Sequence, residues 1–470
     1  MFGTTEHWAI RTVNTWNFFL GGLMVCKWLV RLFTGFKPAR WDGSDAYRGV
    51  HPAWFLAPIG LLTIFLLAYT GVSAWNARAY FIADEQRFEY LPDFIKWLPH
   101  SYDREASWQA FQQYLAVALF FWALRDWLSA KSHRESRLDI DIEGRAAIGP
   151  DSAEMAGAYT YDPTRFPSRL KRLLWVICVN GAALAVQGTL QRLYKSNELL
   201  WTVHPALNEL YWEQFGPFAY RSNGAQYLNM IWPVGLAFWW SLNQQRSKKF
   251  GEGAEFLLLP FTALMLAAPF IAGSRGGLSV AAAQILSVIG IFAYSYRRGG
   301  WWKTGLVALL LASIAISSST LGWKGLQSRL SENTFNTFEA RKEIYENSRQ
   351  IVEEFSTWGS GPGSFANIYQ LYRQGLNQPW YHAAHDDYLQ TVITFGRVGF
   401  TAILFVLALV FGYWFLARGI PTSELFVAFI WVAAAGCLMH ARFDFPFQVY
   451  SILLLFVTLC AILTMLARRS

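Results

Sequence analysis

The sequence predicts an all-α fold: a polytopic membrane bundle of about eleven transmembrane helices, with a twelfth as the alternative, carrying one large and partly helical loop outside the membrane. Three observations predict it. Of 470 residues, 54% are hydrophobic and only 15% charged, which is more apolar than a soluble chain of this length needs. Apolar runs of about 17 to 25 residues, each able to cross a hydrocarbon core of roughly 30 Å as a helix, recur along the chain. Between two of them, residues 326–387 form a long polar insertion with helical periodicity.

The runs fall at 15–33, 53–75, 111–130, 173–193, 225–242, 256–272, 278–296, 306–323, 388–417, 425–441 and 447–466. The first carries Lys27 and Arg31 near its end, where long basic side chains can snorkel to headgroups. It lacks a small-residue cleavage site after a short apolar core, so it reads as a retained span and not as a signal peptide. Residues 131–172 are polar, contain Gly and Pro and have no strong period, and read as a mobile cytoplasmic loop. In the insertion, Phe338, Tyr345, Val352 and Phe355 recur at helical spacing with Arg341 on the same stripe, which predicts an amphipathic helix lying on the membrane or the bundle. The chain thus divides into N-terminal membrane helices (1–325), the large loop (326–387) and C-terminal membrane helices (388–470). No internal repeat of 20 to 50 residues is present.

Sidedness follows from basic residues in the short connections, which collect on the cytoplasmic side. Arg246, Lys248 and Lys249 share one connection, Arg297, Arg298 and Lys303 another, and Arg418, Arg468 and Arg469 mark two more. The 131–172 linker joins the same side. With eleven spans the C-terminus is cytoplasmic and the N-terminus outside. The formal charge of +8 therefore reads as membrane anchoring and not as a nucleic-acid footprint. Cys26, Cys178, Cys437 and Cys460 all fall in apolar runs and read as packing residues, with neither a disulfide framework nor a zinc spacing.

On that alternation the ends of four runs meet at the outer face. "GPFAYRSNGAQYL" brings Arg221 and Asn223, "AGSRGGLS" brings Arg275, "YHAAHDD" brings His382, His385 and Asp386, and "HARFDFPFQ" brings Arg442 and Asp444. An arginine at a span end is ordinarily a headgroup anchor. Arg275 has a stronger context, a turn so short and glycine-rich that a phosphate could approach the backbone. A pair of planar guanidinium groups suits a lipid-linked diphosphate. His385 is either a simple interface residue at a helix start or a general base, since an imidazole titrating near 6.5 can take a proton from a sugar hydroxyl. His382 is the second candidate for that role. "GSGPGSF" at 359–365 has no strand before it and reads as a turn shaping the loop, not a nucleotide-binding loop.

The pattern His385, Asp386, nine residues, Gly396, two residues, Gly399 resembles the signature of the O-antigen ligase family. The "GPFAYRSN", "SRGG", "GSGPGSF" and "FDFP" stretches are similar to blocks of that family in the same order, over about residues 200–448. Where the family usually has Asn, Ser or Gln, this chain has Asp386, which puts a carboxylate beside His385. The resemblance implies a GT-C-type glycosyltransferase of the bacterial inner membrane, active on the periplasmic face without metal or other cofactor. Its donor would be an undecaprenyl-diphosphate-linked glycan and its acceptor a hydroxyl of lipid A core. By carry-over Arg221 and Arg275 would bind the diphosphate and His385 would be the base, with Asp444 and Arg341 supporting them. A polymerase of polysaccharide repeat units and a protein O-glycosylating ligase fit the same family. From another class, a membrane transporter would use broken helices near the midplane, for which Pro233 and Pro260 leave room.

Overall fold

The computed structural model describes residues 7–35, 53–131, 135, 166–205, 208–245, 253–297, 301–332, 334–373, 381–416 and 424–466. Each of the eleven apolar runs corresponds to a helix. In chain order these are α1 (His7–Thr34), α2 (Ala53–Trp75), α3 (Arg104–Ser129), α4 (Ser168–Tyr194), α5 (Arg221–Gln245), α6 (Leu258–Ala272), α7 (Arg275–Ser295) and α8 (Trp301–Glu332). The loop contributes α9 (Thr334–Glu354) and a short α10 (Phe365–Tyr369), and the chain ends with α11 (Asp387–Leu416), α12 (Glu424–His440) and α13 (Tyr450–Leu466). Among the described residues, six helices are long and apolar enough to cross a membrane, α1, α2, α4, α6, α7 and α11, and shorter apolar helices occur within α8 and at α12 and α13. Outward-facing apolar side chains such as Leu61, Ile64, Val176 and Leu286 are well exposed, as expected where lipid is the solvent. Most of the 131–172 linker and the basic residues Arg246, Lys248, Lys249, Arg298, Arg418, Arg468 and Arg469 lie outside the described residues.

Two cores organise the chain. The larger packs α4, α5, α6, α7, α12 and α13 around Trp232, Phe238, Phe292, Phe426 and Phe429. Close crossing is bought by small residues: a Cβ on Gly277 would lie 2.6 Å from the Ala225 Cβ. The second core joins Ile344, Ile351 and Phe355 of α9 to Phe365, Ile368, Tyr369, Tyr102, Ala384 and Ile393. The amphipathic helix is therefore present, but its buried face is centred on Ile344 and Ile351, with Tyr345 and Val352 at its margin; the side chain of Phe338 lies outside the described residues.

Four expectations are corrected. The fold is not purely helical: a two-stranded antiparallel hairpin, β1 (Ala79–Ile82) and β2 (Arg87–Tyr90), precedes α3. Lys27 and Arg31 do not snorkel outward. Both converge on Asp126 of α3, which is nearly buried, with Arg31 Nη1 at 3.3 Å, because a buried carboxylate needs compensating charge. Pro260 sits in the first turn of α6, where a missing N–H breaks no helical bond, so only Pro233 lies mid-helix among the two. Of the cysteines, Cys26 is exposed and the other three are buried and unpaired.

The helix that carries the candidate site is interrupted. Gly396 takes φ +62°, ψ −174° inside α11, a conformation open to glycine and costly for other residues. Five of the backbone groups beside the break find partners outside the helix. Ser360 N donates to Ile393 O at 2.8 Å and Gly361 N to Thr394 O at 3.1 Å, while Arg397 N donates to Ser356 O at 2.9 Å and Val398 N to Thr357 O at 3.4 Å. The Tyr69 hydroxyl donates to Phe395 O at 2.7 Å. The "GSGPGSF" stretch is thus the plug of a broken helix, and it also ties to the start of α3 through Tyr102 N to Ser360 O at 2.8 Å and Ser107 Oγ to Pro362 O at 2.7 Å. Internal satisfaction of this kind is what allows non-helical backbone at membrane depth. A Cβ on Gly396 would lie 2.3 Å from Thr357 O, whereas one on Gly412 of the same helix meets nothing within 4 Å. Gly396→Ala is expected to destabilise the protein by about 1–3 kcal/mol or more, and Gly412→Ala to be neutral or mildly stabilising. Thermal unfolding of both in detergent checks the contrast.

Candidate functional site

The turn between α12 and α13 holds a carboxylate, Asp444, that is 3% exposed. Such a group must be paired or hydrogen-bonded to be tolerated. Ser222 Oγ, from the first turn of α5, donates to Asp444 Oδ2 at 2.5 Å, and Phe445 N donates to Oδ1 at 3.1 Å. Two imidazoles flank it, His440 Nε2 at 3.4 Å from Oδ2 and His385 Nδ1 at 3.4 Å from Oδ1. Both lie at ion-pair distance, longer than a well-formed hydrogen bond. Burial alone would raise the Asp444 pKa. The contacts from His385 and His440 and their charge outweigh it and hold the carboxyl below the usual carboxylate range. His440 Nε2 also lies 3.0 Å from Ser222 Oγ, and Ser274 Oγ donates to Ser222 Oγ at 3.1 Å. Ser274 is the N-cap of α7 and accepts from Gly277 N at 3.1 Å. One carboxylate therefore fixes the starts of α5 and α7 against the end of α12.

The entry to α11 is clamped to the same turn. Asp386 Oδ1 accepts from Tyr388 N at 3.0 Å and Leu389 N at 3.2 Å, satisfying the open donors of the helix N-terminus. Its other oxygen is ion-paired with Arg442. Burial raises the Asp386 pKa against the pull of these partners. Asp387 accepts from Phe447 N and Gln448 Nε2, both at 2.8 Å, and its own N–H donates to Ala441 O at 2.8 Å. Between these anchors His385 is held at φ +53°, a left-handed conformation costing about 1–2 kcal/mol in a non-glycine residue. Its ring meets Phe445 edge-on at 4.9 Å, and Phe445 stacks on Tyr220 at 5.6 Å. The side chain is 26% exposed, oriented yet open on one side.

Beside Asp444 lies a pocket of about 140 Å³ lined by Arg221, Arg275 and Arg341 together with Tyr220, Ser222, Ser274, Gly276, Phe443 and Asp444. Its volume suits a small anionic group and falls well below the roughly 300–1,000 Å³ of a cavity enclosing a whole ligand. Arg221 is braced by donation from Nη1 to Trp212 O at 2.7 Å. Arg275 is the first residue of α7, so its guanidinium acts beside the positive end of a helix dipole. Arg341 comes from α9, which brings the large loop into the site.

Of the residues singled out by sequence, Arg221, Arg275, Arg341 and Asp444 line this pocket and His385 contacts Asp444. Asp386 does not line it, because both its oxygens are engaged in capping α11 and pairing with Arg442. His382 is exposed and is not among the lining residues. Sequence reasoning passed over His440, Ser222 and Tyr220. A signal existed for His440, which stands four residues before Asp444, one helical turn away.

The fold and site define a class: a polytopic helical membrane protein whose polar groups gather where helix ends meet one loop. Residues 260–404 match the family model described as O-Antigen ligase. The resemblance read from the sequence holds, and the chain carries the O-antigen ligase family domain over that segment. The matched stretch contains Arg275, Arg341 and His385, while Arg221 and Asp444 lie outside it. No curated protein matches the chain.

The depressed pKa of Asp444 has a testable sign. A carboxyl whose folded pKa lies below its unfolded value, about 3.9, contributes stability above that value and loses it as pH falls toward the folded one. The unfolding midpoint of the wild type is expected to exceed that of Asp444→Asn at pH 6, with the gap shrinking below about pH 4. A gap independent of pH in thermal melts would contradict the assignment.

Proposed function

We propose that this protein is a GT-C-type glycosyltransferase that moves a glycan from an undecaprenyl-diphosphate carrier to an acceptor hydroxyl, lipid A core in the first instance, at the outer face of the inner membrane. The observation that carries the reading is the sharing of one small pocket by three arginines and the carboxylate that holds His385. Members of the matched family are glycosyltransferase-like ligases, which supports an enzyme acting on lipid-linked glycan.

The chemistry follows from the partners. An ionised Asp444 only accepts hydrogen bonds, so a neutral His385 carries its proton on Nδ1 and leaves the Nε2 lone pair free. The acceptor oxygen attacks the anomeric carbon and forms the new C–O bond, while its proton passes to Nε2. The bond from the anomeric carbon to the diphosphate oxygen breaks, the electron pair leaves with the diphosphate, and a single displacement inverts the centre. Arg221, Arg275 and Arg341 stabilise the charge that grows on the leaving group, where electrostatic help is most effective. Asp444 stabilises the imidazolium that forms, and His385 returns its proton to solvent as the products leave. Transfer to a growing polysaccharide or to a protein hydroxyl would use the same groups, and the acceptor alone separates those alternatives.

The test is glycan transfer from purified undecaprenyl-diphosphate donor in proteoliposomes, with and without EDTA. Loss of the base in His385→Ala is expected to slow transfer by about 10²–10⁴-fold, and Arg275→Ala by roughly 10²–10³-fold, with wild-type activity retained in EDTA. Solute movement across the bilayer without transfer to any acceptor would overturn the reading in favour of a transporter.

A further inference from the structure

Of the two imidazoles on Asp444, the transfer step uses only His385. His440, the last residue of α12, is the more enclosed of the pair, its side chain 1% exposed against 26% for His385. Either ring nitrogen of a histidine can donate or accept, and the neighbours decide which. Ser222 has a single hydroxyl proton, which goes to Asp444 Oδ2 at 2.5 Å. Toward its other neighbours the Ser222 oxygen can only accept, and Ser274 Oγ donates to it at 3.1 Å. His440 Nε2 stands 3.0 Å from that oxygen and 3.4 Å from Asp444 Oδ2. Both atoms in front of it are acceptors, so Nε2 carries a hydrogen.

The other nitrogen settles the charge. Nδ1 of His440 is buried and has no hydrogen-bond partner among the described residues. A second proton there would make a buried N–H with nothing to accept it, which is a heavier penalty for a cation than a bare lone pair is for a neutral ring. The neighbouring pocket adds to that penalty, since Arg221, Arg275 and Arg341 already line it. His440 lies against its wall, where a Cβ on Gly276 would come 3.4 Å from Nε2. The ring is therefore neutral, with its one hydrogen on Nε2.

Each oxygen of Asp444 thus meets one imidazole and one further neutral donor. Oδ1 faces His385 Nδ1 and the Phe445 amide, and Oδ2 faces His440 Nε2 and the Ser222 hydroxyl. We infer that His440 is a positioning residue acting through Asp444: its neutral Nε2–H shares the carboxylate and sets how firmly Asp444 holds the protonated form of His385. The consequence for transfer rests on the reading of His385 as the base. A lysine or arginine at this place would cancel the carboxylate charge in advance, whereas a neutral donor fixes Asp444 and leaves its charge for the imidazolium that forms on His385. The other charged groups at this end are the three pocket arginines, from α5, α7 and α9, the Asp386–Arg442 pair and Asp387. Replacing His440 removes none of them.

The experiment replaces the ring by side chains that differ in what they donate and from where. A glutamine reaches to the place of Nε2 with a neutral N–H, an asparagine stops near the place of Nδ1, and a leucine donates nothing. His440→Leu and His440→Asn take one donor from Asp444, whose charge then falls more fully on His385. In both, the acid limb of kcat/KM for glycan transfer by the full-length protein in proteoliposomes is expected to move to higher pH by about 0.5–1 unit, with the donor KM within about twofold of wild type. His440→Gln is expected to restore the wild-type limb. A second readout needs no transfer: diethyl pyrocarbonate acylates the uncharged imidazole, and the pH profile of its attachment to His385, located by tandem mass spectrometry, should shift in the same order. If His440 only packs, the variants will differ in thermal unfolding while both profiles stay in place, which would overturn the proposal. A glutamine profile displaced as far as that of leucine would overturn it as well. Labelling profiles displaced in the leucine and asparagine variants, with no transfer by any of the proteins, would sink the transferase reading and leave the link from His440 through Asp444 to His385 standing.

Discussion

The arrangement depends on one buried carboxylate. Asp444 is out of water, and an unpaired charge there would cost several kcal/mol. Its two oxygens are instead met by Ser222, the Phe445 amide and two imidazoles. These partners come from α5, from the entry to α11 and from the end of α12, and Ser274 links α7 through Ser222. Satisfying one anion therefore requires four chain segments to stop at the same place. The three arginines that surround the neighbouring pocket stand there because their helices start or pass there.

A second constraint comes from the break at Gly396. A continuous helix would leave no free amides and carbonyls for residues 356–361 to engage. By opening α11 for the plug, the chain fastens the large loop to the bundle through backbone bonds that add to its side-chain contacts. The second core of Ile344, Ile351 and Phe365 then sets α9 against that plug, and Arg341 reaches the pocket from it. The signature spacing between His385 and Gly396 thus has a mechanical meaning: it is the length of helix between the site and the point where the loop is fastened.

Much of this was legible in the sequence. The helices were, because a span must be apolar for its whole length and composition alone reveals it. The gathering of Arg221, Arg275, His385 and Asp444 was also legible, since alternation of spans puts every second connection on one side. What escaped was set by contacts remote in sequence. Nothing local in "GSGPGSF" says that it fills a break in α11 some thirty residues later, and the buried face of α9 centres on Ile344 and Ile351 because Tyr369 and Ile393 pack with them. The hairpin at 79–90 is too short to show a convincing period of two. Lys27 and Arg31 read as headgroup anchors because their partner, Asp126, belongs to another helix.

The central claim is that Asp444 acts through His385 and not only as a structural anchor. A double-mutant cycle on transfer, with His385→Ala, Asp444→Asn and the pair, tests it most directly. Coupling predicts that Asp444→Asn costs much in the wild-type background and almost nothing once His385 is gone, because residues that act as a unit are strongly non-additive. Costs that simply add, with each substitution slowing the other variant by its full factor, would contradict the account.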